Sequence, residues 1–272
     1  HGPVARGFAG HGPARHARRQ RNVNESKRTD DTNEPSALSA DAVVLRLMVA
    51  GDIDAGMRLK ARANWNQTEA DWRRFLALQP DGCFVAEADQ SVIGTVTTCV
   101  FGCVGWIGML LVNESRRGRG IGRRLMERAM CFLRSAGATR MRLDATEAGH
   151  PLHEKMGFRT QYKVVRFAGK PLVPDSLQAK VLPRAFRAAD LPGLLSLDRT
   201  YTFVNRARLL ARLVEESGIA TRVVGEPNNL KGYLVERAGS QALQVGPAIA
   251  GSNLVGRALL VESFQRHMGQ PV

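Results

Sequence analysis

Leu110-Leu111-Val112-Asn113-Glu114-Ser115-Arg116-Arg117-Gly118-Arg119-Gly120-Ile121-Gly122 decides the fold. An apolar strand runs through a glycine-rich turn straight into an amphipathic helix. Glycines at 118, 120 and 122 remove side chains that would hold a ligand off the backbone. The helix that follows offers N–H groups without intrahelical acceptors and the positive end of its dipole. The ligand expected here is an anion, a phosphate above all.

Downstream of this turn, Ile121, Leu125, Ala129 and Leu133 recur every four residues with Met126 and Phe132 beside them, so the helix presents one apolar stripe to a sheet. Gly137 is placed to end it at C′. Met141, Leu143 and Ala145 then alternate with Arg142 and Asp144, which predicts a fifth strand. The helical crossover makes that strand parallel to the fourth.

Upstream, Val43 to Val49 reads as a first strand, and Ala50-Gly51-Asp52-Ile53 opens a helix with Asp52 as a candidate N-cap. Thr68-Glu69-Ala70-Asp71 approximates a capping box ahead of Trp72, Phe75 and Leu76, which share one helix face. Cys83 to Glu87 and Val92 to Phe101 are strands joined at Asp89-Gln90, and Trp106 to Val112 is the fourth strand. The predicted class is α/β (α+β, mixed sheet): a meander that ends in a parallel crossover.

Arg117-x-x-Gly120-x-Gly122, preceded by a strand and followed by Arg123-Arg124-Leu125-Met126, resembles the acetyl-CoA signature of the GNAT superfamily of N-acetyltransferases. Pro151-Leu152-His153-Glu154-Lys155-Met156-Gly157-Phe158 is similar to the closing helix and "GF" ending of that superfamily. The resemblance runs from residue 43 to about 168. It implies the acyl-CoA N-acyltransferase fold, in which the fourth and fifth strands splay apart and admit the pantetheine arm of acetyl-CoA.

On that resemblance, backbone N–H groups from Gly118 through Arg119, Gly120, Ile121 and Gly122 to Arg123 would hold the pyrophosphate, with charge from Arg117 and Arg119. Leu110 and Val112 would meet pantetheine and thioester through their main chains, where a fixed N–H stabilises the oxyanion formed on amine attack. His153 stands where many relatives carry a tyrosine that protonates the departing thiolate, which makes it the candidate general acid. Its alternative is to line the channel or cap a helix. Where some relatives place a glutamate base, the nearest matching residue is Trp106.

Acceptor-side candidates are His150, three residues before His153; Asp144, polar where a central strand is usually apolar; and Trp65 with Trp72, which bracket the loop where the superfamily recognises its acceptor. Core packing is the competing reading for Asp144 and both tryptophans.

The chain carries a net charge of +14 over 272 residues. The first 36 residues supply only +3 of it, so the basicity is not a tail effect. It suits a polyphosphate cofactor and equally an RNA or DNA backbone. A basic Arg-Gly loop for RNA is the weaker reading, because such loops do not sit between a strand and an amphipathic helix. Residues 1–40, rich in Gly, Pro, Arg and Asn with little to bury, are expected to be a disordered basic tail. The four cysteines, at 83, 99, 103 and 131, lie in apolar segments without metal or disulfide spacing and read as buried thiols; no metal is expected. With no apolar run long enough for a membrane, a soluble cytoplasmic protein is expected.

First-half features recur at an offset of 138 residues: Arg46 with Arg184, Asp52 with Asp190, Leu59 with Leu197, Trp65 with Phe203, Gly94 with Gly232 and Gly108 with Gly246. Past Gly108 the offset falls to 134, matching Gly122 to Gly256, so four residues, the glycine turn among them, are missing from the second copy. The expected plan is a cofactor-binding GNAT domain over 41–170, a connector over 171–183 and a degenerate, smaller or incomplete GNAT-like domain over 184–272, C-terminally truncated. An unrelated small α+β domain is the alternative for that second half.

The expected activity is acetyl-CoA-dependent N-acetylation of an amine by direct attack on the thioester. The acceptor is expected to be a small-molecule amine, with a protein amine as the alternative. A CoA-binding regulatory module without turnover and a basic nucleic-acid binder are the rival classes.

Overall fold

In the first half, strands β1 (Val44–Leu47), β2 (Phe84–Ala88), β3 (Ser91–Phe101), β4 (Val104–Val112) and β5 (Arg140–Arg142) form one sheet in sequence order. The structure is a computed structural model and describes residues 42–174, 177 and 181–272; the expected N-terminal tail lies outside them. β1 to β4 pair antiparallel, and β5 lies parallel to β4 as the crossover requires. The β2–β3 hairpin turns through Asp89 and Gln90, both at positive φ, the turn whose twist matches the flanking strands.

Helices cover both faces, and alternation along the strands decides which residue goes where. α1 (Ile53–Arg62) and α2 (Glu69–Leu78) bury Ile53, Leu59 and Trp72 against Val85, Met109 and Leu111. α3 (Ile121–Ser135) buries Ile121, Leu125, Met126, Ala129 and Leu133 against Phe84, Ala86, Val96 and Ile107 on the other face. It ends as its sequence requires, with Gly137 at φ 85°; the Gly137 and Ala138 N–H groups reach back to Arg134 and Leu133 carbonyls in a Schellman motif. α4 (His150–Lys155) closes the half.

The second half repeats this plan with β6 (Arg184–Ala185), α5 (Leu191–Thr202), α6 (Ala207–Ser217), β7 (Arg222–Glu226), β8 (Asn229–Arg237), β9 (Gln244–Ala250) and α7 (Asn253–Arg266). Its four strands form a separate sheet, and both sheets lie in one compact unit. The 138-residue offset is a register identity. Arg46 faces Val85 as Arg184 faces Val223, and Gly94 faces Val112 as Gly232 faces Ala250. Arg46 holds Asp52 with two hydrogen bonds, and Arg184 holds Asp190 in the same way.

Four expectations are corrected. Asp52 is not the side-chain cap of α1: its carboxylate accepts from the Val49 N–H and from Arg46, locking a single 3-10 turn ahead of the helix, and Arg46 holds its pKa below the usual carboxylate range. The fifth strand stops at Arg142, so Asp144 and Ala145 are exposed loop residues. Cys83 and Cys99 are buried, and burial pushes their thiols up to about 12 and about 11, but Cys103 and Cys131 are exposed. Trp72 is fully buried in the core beneath α1, against Gly56, and lines no surface.

Candidate active site at the glycine-rich turn

β4 is paired on both edges only at its start. Val104, Gly105 and Trp106 lie beside Arg140, Met141 and Arg142 of β5; beyond them β5 ends, and among the described residues no strand pairs with the Gly108–Val112 edge. A bulge marks the change. Register shifts between Thr95 and Thr97, and Met109 takes φ 51°, a left-handed conformation costing a non-glycine residue on the order of 1–3 kcal/mol. The Thr95 hydroxyl donates to the Met109 carbonyl at 2.8 Å and holds it there. Methionine carries no signature for such a backbone, so this feature is invisible in the first-half sequence.

From the end of β4 the chain makes one 3-10 turn, Glu114–Arg116, with the Asn113 side chain accepting from the Ser115 N–H at 3.2 Å. Gly118 and Gly120 follow, each at φ 77°, and a Cβ on either would meet no atom within 4 Å. The backbone conformation demands glycine here, and the space above both residues is open. Gly120 is the N-cap of α3 and has no side chain to satisfy the helix end; the N–H groups of Ile121, Gly122 and Arg123 therefore lack intrahelical acceptors. The first turn contains Arg123 and Arg124 and no acidic residue. Cations at a helix N-terminus are unfavourable by roughly 0.3–1 kcal/mol each, a cost that a bound anion would reverse.

Arg117 donates through Nε to the Val112 carbonyl at 3.2 Å, and Arg123 donates to Glu127 at 2.8 Å. Both are exposed, and neither bond is buried enough to resist exchange for a phosphate oxygen. Leu110 and Val112 are half-buried on the α3 side of β4. The two sequence motifs meet at this point: a Cβ built on Gly122 would sit 3.4 Å from Leu152 of α4 and 3.7 Å from Val112.

His153 is buried, at 7% exposure, and its Nδ1 has no hydrogen-bond partner. The Gly157-Phe158 ending is a second Schellman motif, with Gly157 at φ 89°, the Phe158 N–H bonded to the His153 carbonyl and the two rings edge to face at 6.0 Å. Burial first, then the neighbouring His150, lowers the His153 pKa below its ordinary 6.5. The imidazole is thus neutral at neutral pH. The imidazolium that the general-acid expectation requires is the disfavoured form.

His150 is half-buried with Nε2 2.8 Å from the Thr160 hydroxyl. Asp144 lies on the exposed segment that follows β5. Trp65 is half-buried in the α1–α2 loop, and Trp106 packs against the cluster of Leu78, Cys99 and Phe101, which Val204 and Leu209 of the second half also cover. Among the described residues no three His, Cys, Asp or Glu are grouped to hold a metal. No helix there is long and apolar enough to cross a membrane.

The family model described as "Acetyltransferase (GNAT) family" matches residues 56–158, and the one described as "Acetyltransferase (GNAT) domain" matches 194–272. The uncharacterized N-acetyltransferase YitH of Bacillus subtilis is 27% identical over 208 residues, covering 75% of this chain and 72% of its own. Glucosamine 6-phosphate N-acetyltransferase of Trypanosoma brucei brucei is 29% identical over 133 residues, covering 49% and 90%. An acetyltransferase structure from Pyrococcus horikoshii superposes with a TM-score of 0.65 at 19% identity, covering 89% of this chain and 83% of that one, so two sheets in tandem are an architecture seen elsewhere. The chain belongs to the GNAT family of N-acetyltransferases and carries two GNAT domains in tandem.

Proposed function

We propose that the first half is the catalytic one, transferring acetyl from acetyl-CoA to a small amine by direct attack. The observation that carries this reading is the uncapped N-terminus of α3, with arginines in its first turn, directly after the unpaired Gly108–Val112 edge of β4. One element suits a pyrophosphate; the other suits an extended chain of amides.

Backbone N–H groups from Gly118 to Arg123 bind the pyrophosphate, with Arg117, Arg119 and Arg123 adding charge. The free edge of Leu110 to Val112 orients the pantetheine arm by main-chain bonds. Acetyl-CoA supplies an activated acyl thioester, so positioning provides much of the rate. His153, held neutral, serves as an N–H donor or acceptor at the closing helix rather than as a cationic acid. Asp144, His150 and Trp65 remain acceptor-side candidates. The name of the Trypanosoma relative, an amino-sugar phosphate acetyltransferase, supports a small amine acceptor.

Release of free thiol from acetyl-CoA over a panel of amino sugars, polyamines, amino acids and peptide N-termini tests the reading. Steady release with one class supports it. Thermal stabilisation by acetyl-CoA without release from any amine would instead favour a sensing module, the reading suggested by neutral His153 and by tryptophan in place of a carboxylate at position 106.

A further inference from the structure

The two halves meet through equivalent surfaces. Asn66, in the α1–α2 loop, touches residues 239–242 of the β8–β9 hairpin; at the 138-residue offset, Val204 of the α5–α6 loop packs against the cluster of Leu78, Cys99 and Phe101, the last two on the β3 arm of the β3–β4 hairpin. Asp71 pairs with Arg237, and the equivalent Leu209 shares a cluster with Cys99. These two pairs of contacts match under exchange of the halves, the pattern of a two-fold interface within one chain.

The chemistry of the two contacts differs. The Val204 side is mostly apolar, with one bond from Arg208 to the Leu78 carbonyl at 3.1 Å. On the other side, Asn66 donates to the Ala242 carbonyl at 2.8 Å and accepts from the Gln241 and Ala242 N–H groups at 2.8 and 3.1 Å. The Ser240 N–H donates to the Asn66 carbonyl at 3.0 Å, and the Gln241 side chain donates to Asn64 at 2.7 Å. Buried Lys60 bridges the Ser240 hydroxyl and the Trp65 carbonyl. Gly239 is required by the closeness of this seat, since a Cβ there would lie 2.3 Å from Asn66 Nδ2. Plain packing would have served both sides alike. The hydrogen-bonded version occurs on the half that retains the glycine turn.

The held loop borders the site. α1 ends at Arg62, whose Nη1 is 3.4 Å from Asn113 Oδ1 at the head of the glycine-rich turn, and Leu59 and Trp72 pack on Met109 and Leu111 of the free-edged part of β4. We propose that the second half acts as a clamp, its 239–242 hairpin fixing the α1–α2 loop through Asn66, which makes Asn66 a positioning residue for the acceptor side. The kinetic consequence rests on the acyl-transfer reading; the clamp itself does not.

The test uses the full chain with Asn66→Ala, Asn66→Asp and Gly239→Ala, the last disturbing the same contact from the opposite side. Amide exchange in residues 63–68 should accelerate in Asn66→Ala and Gly239→Ala while α3 stays protected, with Asn66→Asp, which keeps both accepted bonds, falling between. Acetyl-CoA affinity should hold within about twofold and the KM of the accepted amine should rise roughly tenfold or more, with kcat less affected. Unchanged exchange in either alanine variant overturns the clamp. Faster exchange with an unchanged KM overturns the positioning role, and a KM effect confined to Asn66 variants makes Asn66 a substrate contact instead. If the wild-type chain binds acetyl-CoA but acetylates no amine, the acyl-transfer reading falls and the exchange result alone decides the clamp.

Discussion

α3 and α7 occupy equivalent places in the two halves and begin in opposite ways. The Ser252 hydroxyl caps α7, accepting from the Val255 N–H at 3.3 Å, one residue after β9 hands over at Gly251. α3 is reached through a longer loop whose last residue, Gly120, has no side chain to offer. The Ser252 hydroxyl occupies one of the donors at the head of α7, whereas a helix begun by a left-handed glycine keeps all its first N–H groups available to an anion. One further difference points the same way. Pro247 in β9 stands where Met109 stands in β4 and has no N–H. A recess of about 720 Å3 also lies at the head of α7, lined by Leu172, Val173 and Leu177 of the connector together with Ser252 and Arg257. One fold therefore reads as a binding half and a supporting half.

The largest effects should be shared by both halves, because their cores are equivalent. Trp72→Ala and Leu210→Ala, which empty the same core position in the two halves, should cost about 4 and about 3 kcal/mol respectively in denaturant unfolding. A negligible cost for Leu210→Ala would break the comparison, since the second half would then contribute no packed unit of its own. A smaller effect separates the helix ends: Ser252→Ala should lose about 1 kcal/mol of stability and leave acetyl-CoA affinity unaltered in calorimetry.

The smallest effect concerns pH. With the His153 pKa lowered by burial, the unfolded chain takes up this proton before the folded one. The stability due to its neutral ring is intact above about pH 6.5 and is lost as pH falls from there toward the lower folded value. His153→Gln should flatten that part of the melting-temperature profile. An identical slope in the variant would show that His153 is not the group responsible.

Much of this was legible because local signals and tertiary demands agree. Glycines 118 and 120 mark positive φ, the four-residue repeat from Ile121 to Leu133 marks the buried stripe of α3, and the change of offset from 138 to 134 locates the lost turn. Alternation at Met141, Leu143 and Ala145 promised a longer β5 than exists: the chain leaves the ladder after Arg142 although β4 runs on to Val112, and alternation alone carries no signal for that departure. Asp52 was misplaced as a cap because its arginine partner, Arg46, lies on the preceding strand. The Met109 bulge and the Asn66 seat have no residue signature at all: one depends on Thr95 across the sheet, the other on a hairpin more than 170 residues away.

Isothermal titration of acetyl-CoA against the wild-type chain, Gly120→Val and Ser252→Ala tests the central claim most directly. One site per chain is predicted, weakened about a hundredfold or more in Gly120→Val, where a β-branched side chain must adopt φ 77° at the helix entrance, and untouched in Ser252→Ala. Two sites per chain, or full affinity retained by Gly120→Val, would contradict the assignment of the cofactor to the first half.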